Sequence, residues 1–265
     1  PERDVMEIVG TGGDEVGTFN ISTTSAFVVA AAGIPVAKHG NRSISSRSGA
    51  ADVLENLGAK MDLTAEQNET VLKKTDMCFM FAPVYHSSMR YAAPVRKELG
   101  VRTVFNILGP LSNPAAAKMQ LLGVYDKDLA PALAQVLSNL GVTRGVAVCG
   151  DDGLDEITLT GKTYVNEIRN GEIISYTITP EQFGLKSCEL SELIGGTPKE
   201  NARRILTGEE TGPKRDVILM NASMSLYLGI DGITLAEGIE KAKEMIDSGK
   251  AYAKLQEFVK ATQEA

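Results

Sequence analysis

The sequence predicts an α/β fold, a mostly parallel central sheet flanked by helices. Short runs of strand character alternate with helical periods from the start of the chain to Gly150, the order that builds parallel strands joined by crossover helices. Strands connected in that way lie in a sheet covered on both faces. A length of 265 residues with 43% hydrophobic content is enough to bury one substantial core, or a large domain with a small appendage, and residues 1–265 are taken together as one domain.

The elements follow in order. "DVMEIV" reads as a strand, "STTSAFVVAAAG" as a buried helix ended by Gly33, and "IPVAKHG" as a second strand. "GAADVLENLG" is helical, "DMCFMFAP" is a strand closed by Pro83, and "MRYAAPVRKELG" is helical again. "MQLLGVY", "LAPALAQVLSNLG" and "RGVAVCG" continue as strand, helix and strand. The runs "EITLTG", "TYVNEIRNG" and "EIISYTI", with an Asn-Gly turn at Asn170, predict a small antiparallel excursion. From Pro198 the chain is helical to its end. The stretch "RTVFNILGPLSNPAAAK" holds Gly109, Pro110 and Pro114, and predicts a hinge or crossover across residues 97–117.

A net charge of -7 and a mean hydropathy of -0.05 describe an ordinary acidic globular chain. That charge argues against non-specific binding to nucleic acid or an anionic membrane. The absence of a membrane-length apolar run or a signal-peptide pattern sets a cytoplasmic expectation. Cys78, Cys149 and Cys188 show no metal or redox spacing and read as core residues of a reduced compartment. With only His39 and His86, a His-rich zinc site is excluded, and no G-x-S-x-G elbow supports a serine triad.

Three loops after strands carry chemistry. "VGTGGDEVGTFNISTTSA" is neither a dinucleotide fingerprint nor a Walker loop. Its Gly10, Gly12 and Gly13 let backbone amides approach an anion, ahead of a helix start capped by Asn20, Ser22 or Thr23. Asp14 inside such a cradle needs a hydroxyl or a metal as partner. "VAKHGNRSISSRSGAAD" is the local basic patch that an acidic protein needs in order to hold a phosphate ester. "CGDDGLDEITL" packs Asp151, Asp152, Asp155 and Glu156 into six residues, and these repel one another without a cation. Oxygen-only ligands favour Mg²⁺, and a sugar with a phosphate at one end and a pyrophosphate at the other satisfies all three loops.

These segments resemble the anthranilate phosphoribosyltransferase family. The shared motifs are "GTGGD", "NISTTSA", "KHGNRSISSRSG", "VRKELGVRTVFNILGPLSNP", "DDGLDE" and "NASMSLYL", in family order through nearly the whole chain. The resemblance implies a nucleoside phosphorylase/phosphoribosyltransferase-like C-terminal domain that moves phosphoribosyl from phosphoribosyl pyrophosphate to anthranilate in tryptophan biosynthesis. By it, Gly10, Gly12, Gly13, Asp14, Thr18, Asn20, Ile21, Ser22 and Thr23 meet the pyrophosphate side. Lys38, His39, Gly40, Asn41, Arg42, Ser43, Ile44, Ser45 and Ser46 wrap the phosphoribosyl group. Ser22, Asp155 and Glu156 hold Mg²⁺, with Asp151 and Asp152 in support. Anthranilate lies near Gly10, Asn41, His86, Gly109 and Pro110, with Arg96 facing its carboxylate. No residue is singled out as a proton-transfer catalyst, and His86 is at most a helper.

The sequence departs from the family pattern at Ala50, where Ser is frequent, and at Ser87, where Pro is usual. The family's N-terminal helical segment, which packs on the "RTVFNILGP" region and supplies a homodimer contact, is not found before the glycine loop, so an altered dimer contact is expected. A pyrimidine nucleoside phosphorylase would share the architecture, but "DDGLDE" and "HGNR" count against it. A non-catalytic nucleic-acid-binding relative would need a basic helix or tail, and "AYAKLQEFVKATQEA" is mixed in sign.

Overall fold

A computed structural model describes residues 2–12, 16–42, 49–86, 91, 98 and 104–265. The strands are β1 (Met6–Gly10), β2 (Val36–Gly40), β3 (Met77–Phe81), β4 (Met119–Gly123), β5 (Arg144–Gly150), β6 (Thr163–Arg169) and β7 (Glu172–Ile178). They form one sheet in the order β3-β2-β1-β4-β5-β6-β7. The first five run parallel, as the alternation predicts, β6 pairs antiparallel with β5, and β7 pairs antiparallel with β6. The chain leaves β1 toward β2 and later returns on the other side at β4. Loops after β1 and β4 therefore diverge and open a crevice at the carboxyl ends of the strands.

The helices are α1 (Ile21–Ala31), α2 (Ala50–Asn56), α3 (Ala65–Thr75), α4 (Ala82–Tyr85), α5 (Val104–Leu108), α6 (Ala130–Asn139), α7 (Pro198–Leu206), α8 (Pro213–Gly229), α9 (Leu235–Asp247) and α10 (Lys250–Glu264). Strand alternation sends Met6, Ile8, Val36, Phe79 and Leu121 into the larger core, with α1, α8, α9 and α10. Leu122 and Ala147 pack on α6 across the other face, while Ala37, Cys78 and Met80 form a third cluster with Ala117. Helix α1 is buried from Ile21 to Ala30; its second half is apolar on every side, while the small polar residues Ser22, Thr23, Thr24 and Ser25 fill its first turns. Its Phe27 meets Phe258 of α10 with ring centroids 5.7 Å apart, and burying each ring stabilises the fold by about 1.5–3 kcal/mol.

The hairpin turn at Asn170 and Gly171 has both residues at positive φ, 54° and 83°, which suits an Asn-Gly pair. The excursion differs from expectation in two ways. Strands β6 and β7 extend the main sheet instead of standing apart, and "EITLTG" forms no strand. Side chains replace its ladder: Asn221 takes the Ile157 N–H, Thr163 Oγ1 the Thr158 N–H, and Thr158 Oγ1 the Thr160 N–H. Helix α3 is absent from the sequence reading, although Thr64 and Gln67 form a full capping box at its start. Most of "MRYAAPVRKELG" lies outside the described residues. Cys78 and Cys149 are buried, and burial pushes their thiols up to about 12 and about 11, as core cysteines require. No described helix is long and apolar enough to cross a membrane.

Candidate active site

The crevice is built from the ends of β1, β2, β4 and β5. At the start of α1, Asn20 is the cap: its Oδ1 accepts the Thr23 N–H at 2.9 Å, which decides among the three residues the sequence left open. The acidic turn after β5 divides into two pairs. Asp152 holds the turn together through the Leu154 N–H and the Thr158 and Thr160 hydroxyls, and Asp151 accepts the Tyr164 hydroxyl. Asp155 and Glu156, 8% and 7% exposed, reach into the crevice instead. Gly12 N–H donates to Asp155 Oδ2 at 2.6 Å, and Ser22 N–H donates to Glu156 Oε1 at 3.1 Å. The amides that favour an anion at the glycine loop and helix start thus carry the protein's own carboxylates.

This approach depends on two glycines. A Cβ at Gly10 would stand 2.2 Å from Asp155 Oδ2, and one at Gly123 would stand 1.6 Å from the Asp155 carbonyl oxygen. Asn221 of α8 locks the turn from behind. Its fully buried amide accepts the Ile157 N–H at 3.0 Å and donates to the Ile157 carbonyl at 2.8 Å, as a neighbouring strand would. Asn221→Ala leaves both groups buried without partners and is expected to destabilise the protein by about 2–5 kcal/mol. Urea unfolding measures this directly, and a loss within error of zero would contradict the assigned contacts.

Adjacent residues of β2 face opposite ways. Lys38 points to α1, where its buried ammonium donates to the Ile8 carbonyl at 2.5 Å and to Ser22 Oγ at 3.1 Å. Burial lowers its pKa to about 8 against the pull of Glu156, Glu7 and Asp155, so it stays a cation at neutral pH. His39 points to the other face and meets His86 edge-on, with ring centroids 4.9 Å apart. Burial pulls the His39 pKa down to about 4 and keeps the imidazole neutral. Nε2 of both rings is buried and has no hydrogen-bond partner among the described residues, and the same holds for Thr23 Oγ1.

Other expected residues sit differently. The Arg42 guanidinium pairs with Asp52 and Glu55 of α2 and lies over the Phe81 ring, and those carboxylates hold its pKa above the usual range. Ile21 is buried in the main core, and Thr18 bridges to Ile194. Gly109 and Pro110 lie at the end of α5, with the Pro110 carbonyl accepting from Gln120 at 3.0 Å. Gly13, Asp14, Ser43, Ile44, Ser45, Ser46, Ser87 and Arg96 lie outside the described residues. Glu7, Asn113, Gln120, Gly123 and Asn221 were not singled out from the sequence. Polar residues inside the strand runs "MEIV" and "MQLL" were the available signal.

The donor set fits a hard cation. Asp155, Glu156 and the Ser22 hydroxyl offer oxygen only, and among the described residues no group of three or more His, Cys, Asp or Glu side chains assembles a protein-only cage. Mg²⁺ is commonly held by one or two carboxylates together with phosphate oxygens.

Residues 2–252 match the family model described as "Glycosyl transferase family, a/b domain". The chain is 58% identical over 267 residues to an anthranilate phosphoribosyltransferase of Endomicrobium trichonymphae, covering 100% of this chain and 79% of the relative. It belongs to the anthranilate phosphoribosyltransferase family. A Ruminiclostridium cellulolyticum member of that family is 58% identical over 98% of this chain and 76% of its own. Among solved structures, the anthranilate phosphoribosyltransferase of Thermus thermophilus superposes with a TM-score of 0.92 at 44% identity, covering 98% of this chain and 78% of the other. The Saccharomyces cerevisiae enzyme in complex with PRPP and Mg superposes with a TM-score of 0.91 at 36% identity, covering 99% and 74%. The chain is thus an enzyme of the anthranilate phosphoribosyltransferase family with that family's fold.

Proposed function

We propose that this chain transfers the phosphoribosyl group of phosphoribosyl pyrophosphate to the amine of anthranilate, releasing pyrophosphate, as a cytoplasmic Mg²⁺-dependent enzyme of tryptophan biosynthesis. The observation that carries this reading is the meeting of Asp155, Glu156, the Gly12 and Ser22 amides and Lys38 at the carboxyl end of the sheet. Family membership and the PRPP and Mg complex of the yeast relative support it.

Bound at Ser22, Asp155 and Glu156, Mg²⁺ would supply positive charge at the departing pyrophosphate. The chain's own part is binding and orientation. The Gly10, Gly12 and Gly13 loop, with Asp14, Thr18, Asn20 and Thr23, flanks the pyrophosphate. Lys38 adds fixed positive charge, and the segment from His39 through Gly40, Asn41 and Arg42 to Ser43, Ile44, Ser45 and Ser46 wraps the sugar phosphate. Such preorganised charge acts where negative charge develops, without a proton transfer. His86, Gly10, Asn41, Gly109 and Pro110 line the acceptor side, and Arg96 faces the anthranilate carboxylate. The aromatic amine is a weak base that loses its proton readily after attack, so no strong general base is required. Positioning carries much of the rate.

Val104 and Leu108 of α5, 59% and 45% exposed, are apolar surface suited to cover by the family's helical segment or a second subunit. Calorimetric titration with phosphoribosyl pyrophosphate tests the donor reading. Binding is expected to weaken about 10-fold or more when Mg²⁺ is removed, and binding indifferent to Mg²⁺ would overturn the metal's place. Pyrophosphate release on adding anthranilate tests the acceptor.

A further inference from the structure

We infer that Glu7 is a positioning residue for the acceptor: its buried carboxylate joins the loop carrying Gly109 and Pro110 to the strand carrying His39. The inference rests on the proposed reading that anthranilate binds beside those residues. Glu7 is fully buried on β1, on the sheet face that also holds His39. Its Oε1 accepts the His39 N–H at 3.0 Å, and its Oε2 accepts from Asn113 Nδ2. The Asn113 amide also donates to the Ala37 carbonyl at 2.9 Å, so one side chain links β1, β2 and the loop.

Two further contacts act on the same loop. Gln120 is the register partner of Glu7 on β4, is 3% exposed, and donates to the Pro110 carbonyl at 3.0 Å. The Gly109 backbone acts on the His39 imidazole as well, raising its pKa against the larger effect of burial. Two adjacent strands, β1 and β4, therefore each send one polar side chain to the loop, Glu7 to residue 113 and Gln120 to residue 110, and β2 is tied to it through the Ala37 carbonyl. The surroundings are apolar, with Val9, Ile107, Leu111 and Leu122 packed nearby, so apolar residues would have sufficed for burial alone. A carboxylate there is unfavourable to bury, and burial raises the Glu7 pKa to about 7 against the pull of Asn113, His39 and Lys38. What it gains is direction: a carboxylate with two fixed donors sets where the loop stands relative to the end of β2, which a greasy contact does not.

Steady-state kinetics of Glu7→Gln, Asn113→Ala, the double variant and Gln120→Met test this. Glu7→Gln places an amide donor against Asn113, and its KM for anthranilate is expected to rise about 10-fold or more while the KM for phosphoribosyl pyrophosphate stays within about 2-fold. Gln120→Met should shift the same constant in the same direction. The double variant should be no worse than its worse parent, because both changes break one link. If Glu7→Gln does not fold, Asn113→Ala and Gln120→Met decide the matter alone. Constants that rise together for both substrates, or an unmoved anthranilate KM, overturn the inference. A wild-type protein that fails to turn over anthranilate overturns the proposed function and this inference with it, whereas an active wild type with no split overturns the inference alone.

Discussion

Replacing Asp155 by Asn and Glu156 by Gln together is expected to lower turnover by about 10²–10³-fold or more, and to move the Mg²⁺ concentration needed for half-maximal rate upward. Both side chains are nearly buried, and the described geometry puts each on an amide of the glycine loop or helix α1. The amide replacements keep the size of the side chains and lose the two negative charges. They can still accept the Gly12 and Ser22 N–H bonds, so the fold should survive, and thermal unfolding serves as the control. Kinetics unchanged across a Mg²⁺ titration would remove both residues from the metal role.

Gly123→Ala is expected to do the greatest damage of any single methyl group in the crevice. The added Cβ would meet the Asp155 backbone oxygen at 1.6 Å and its carbonyl carbon at 2.4 Å. No rotamer relieves a clash with backbone, so the acidic turn must withdraw by roughly 1.5–2 Å to reach a normal contact distance. The expected result is a loss of about 1–3 kcal/mol of stability or more, together with loss of Mg²⁺-dependent phosphoribosyl pyrophosphate binding. Gly10→Ala makes a useful comparison, because its Cβ meets the Asp155 carboxylate at 2.2 Å, an atom that can rotate away at the expense of the Gly12 bond. Gly10→Ala should therefore weaken metal-dependent binding more than it weakens the fold. Equal thermal stability and equal binding for Gly123→Ala and the wild type would show that the turn does not sit against β4 as described.

Local order was readable wherever a periodic pattern or a turn residue acts on its own neighbours. The alternation of strand and helix, the Asn170 turn and the Asn20 to Thr23 helix start are encoded within a few residues, so the α/β class followed from the chain alone. Helix α3 carries an equally local signal in its Thr64 and Gln67 capping box, but its remaining positions are largely polar and show no apolar period.

What the sequence could not determine is which groups meet across distance. The pairing of Gly12 with Asp155 spans 143 positions, and that of Asn113 with Glu7 spans 106. Such contacts depend on strand order and register, and nothing in the local spacing of "DDGLDE" says that Asp151 and Asp152 knit the turn while Asp155 and Glu156 enter the crevice. The same holds for Lys38 and His39, neighbours in a basic run that the pleat of β2 sends to opposite faces of the sheet. Composition and motif settled which chemistries the chain carries; the parallel register of β1, β2, β4 and β5 decided which of them stand together, because only the folded sheet brings the strand ends to one crevice.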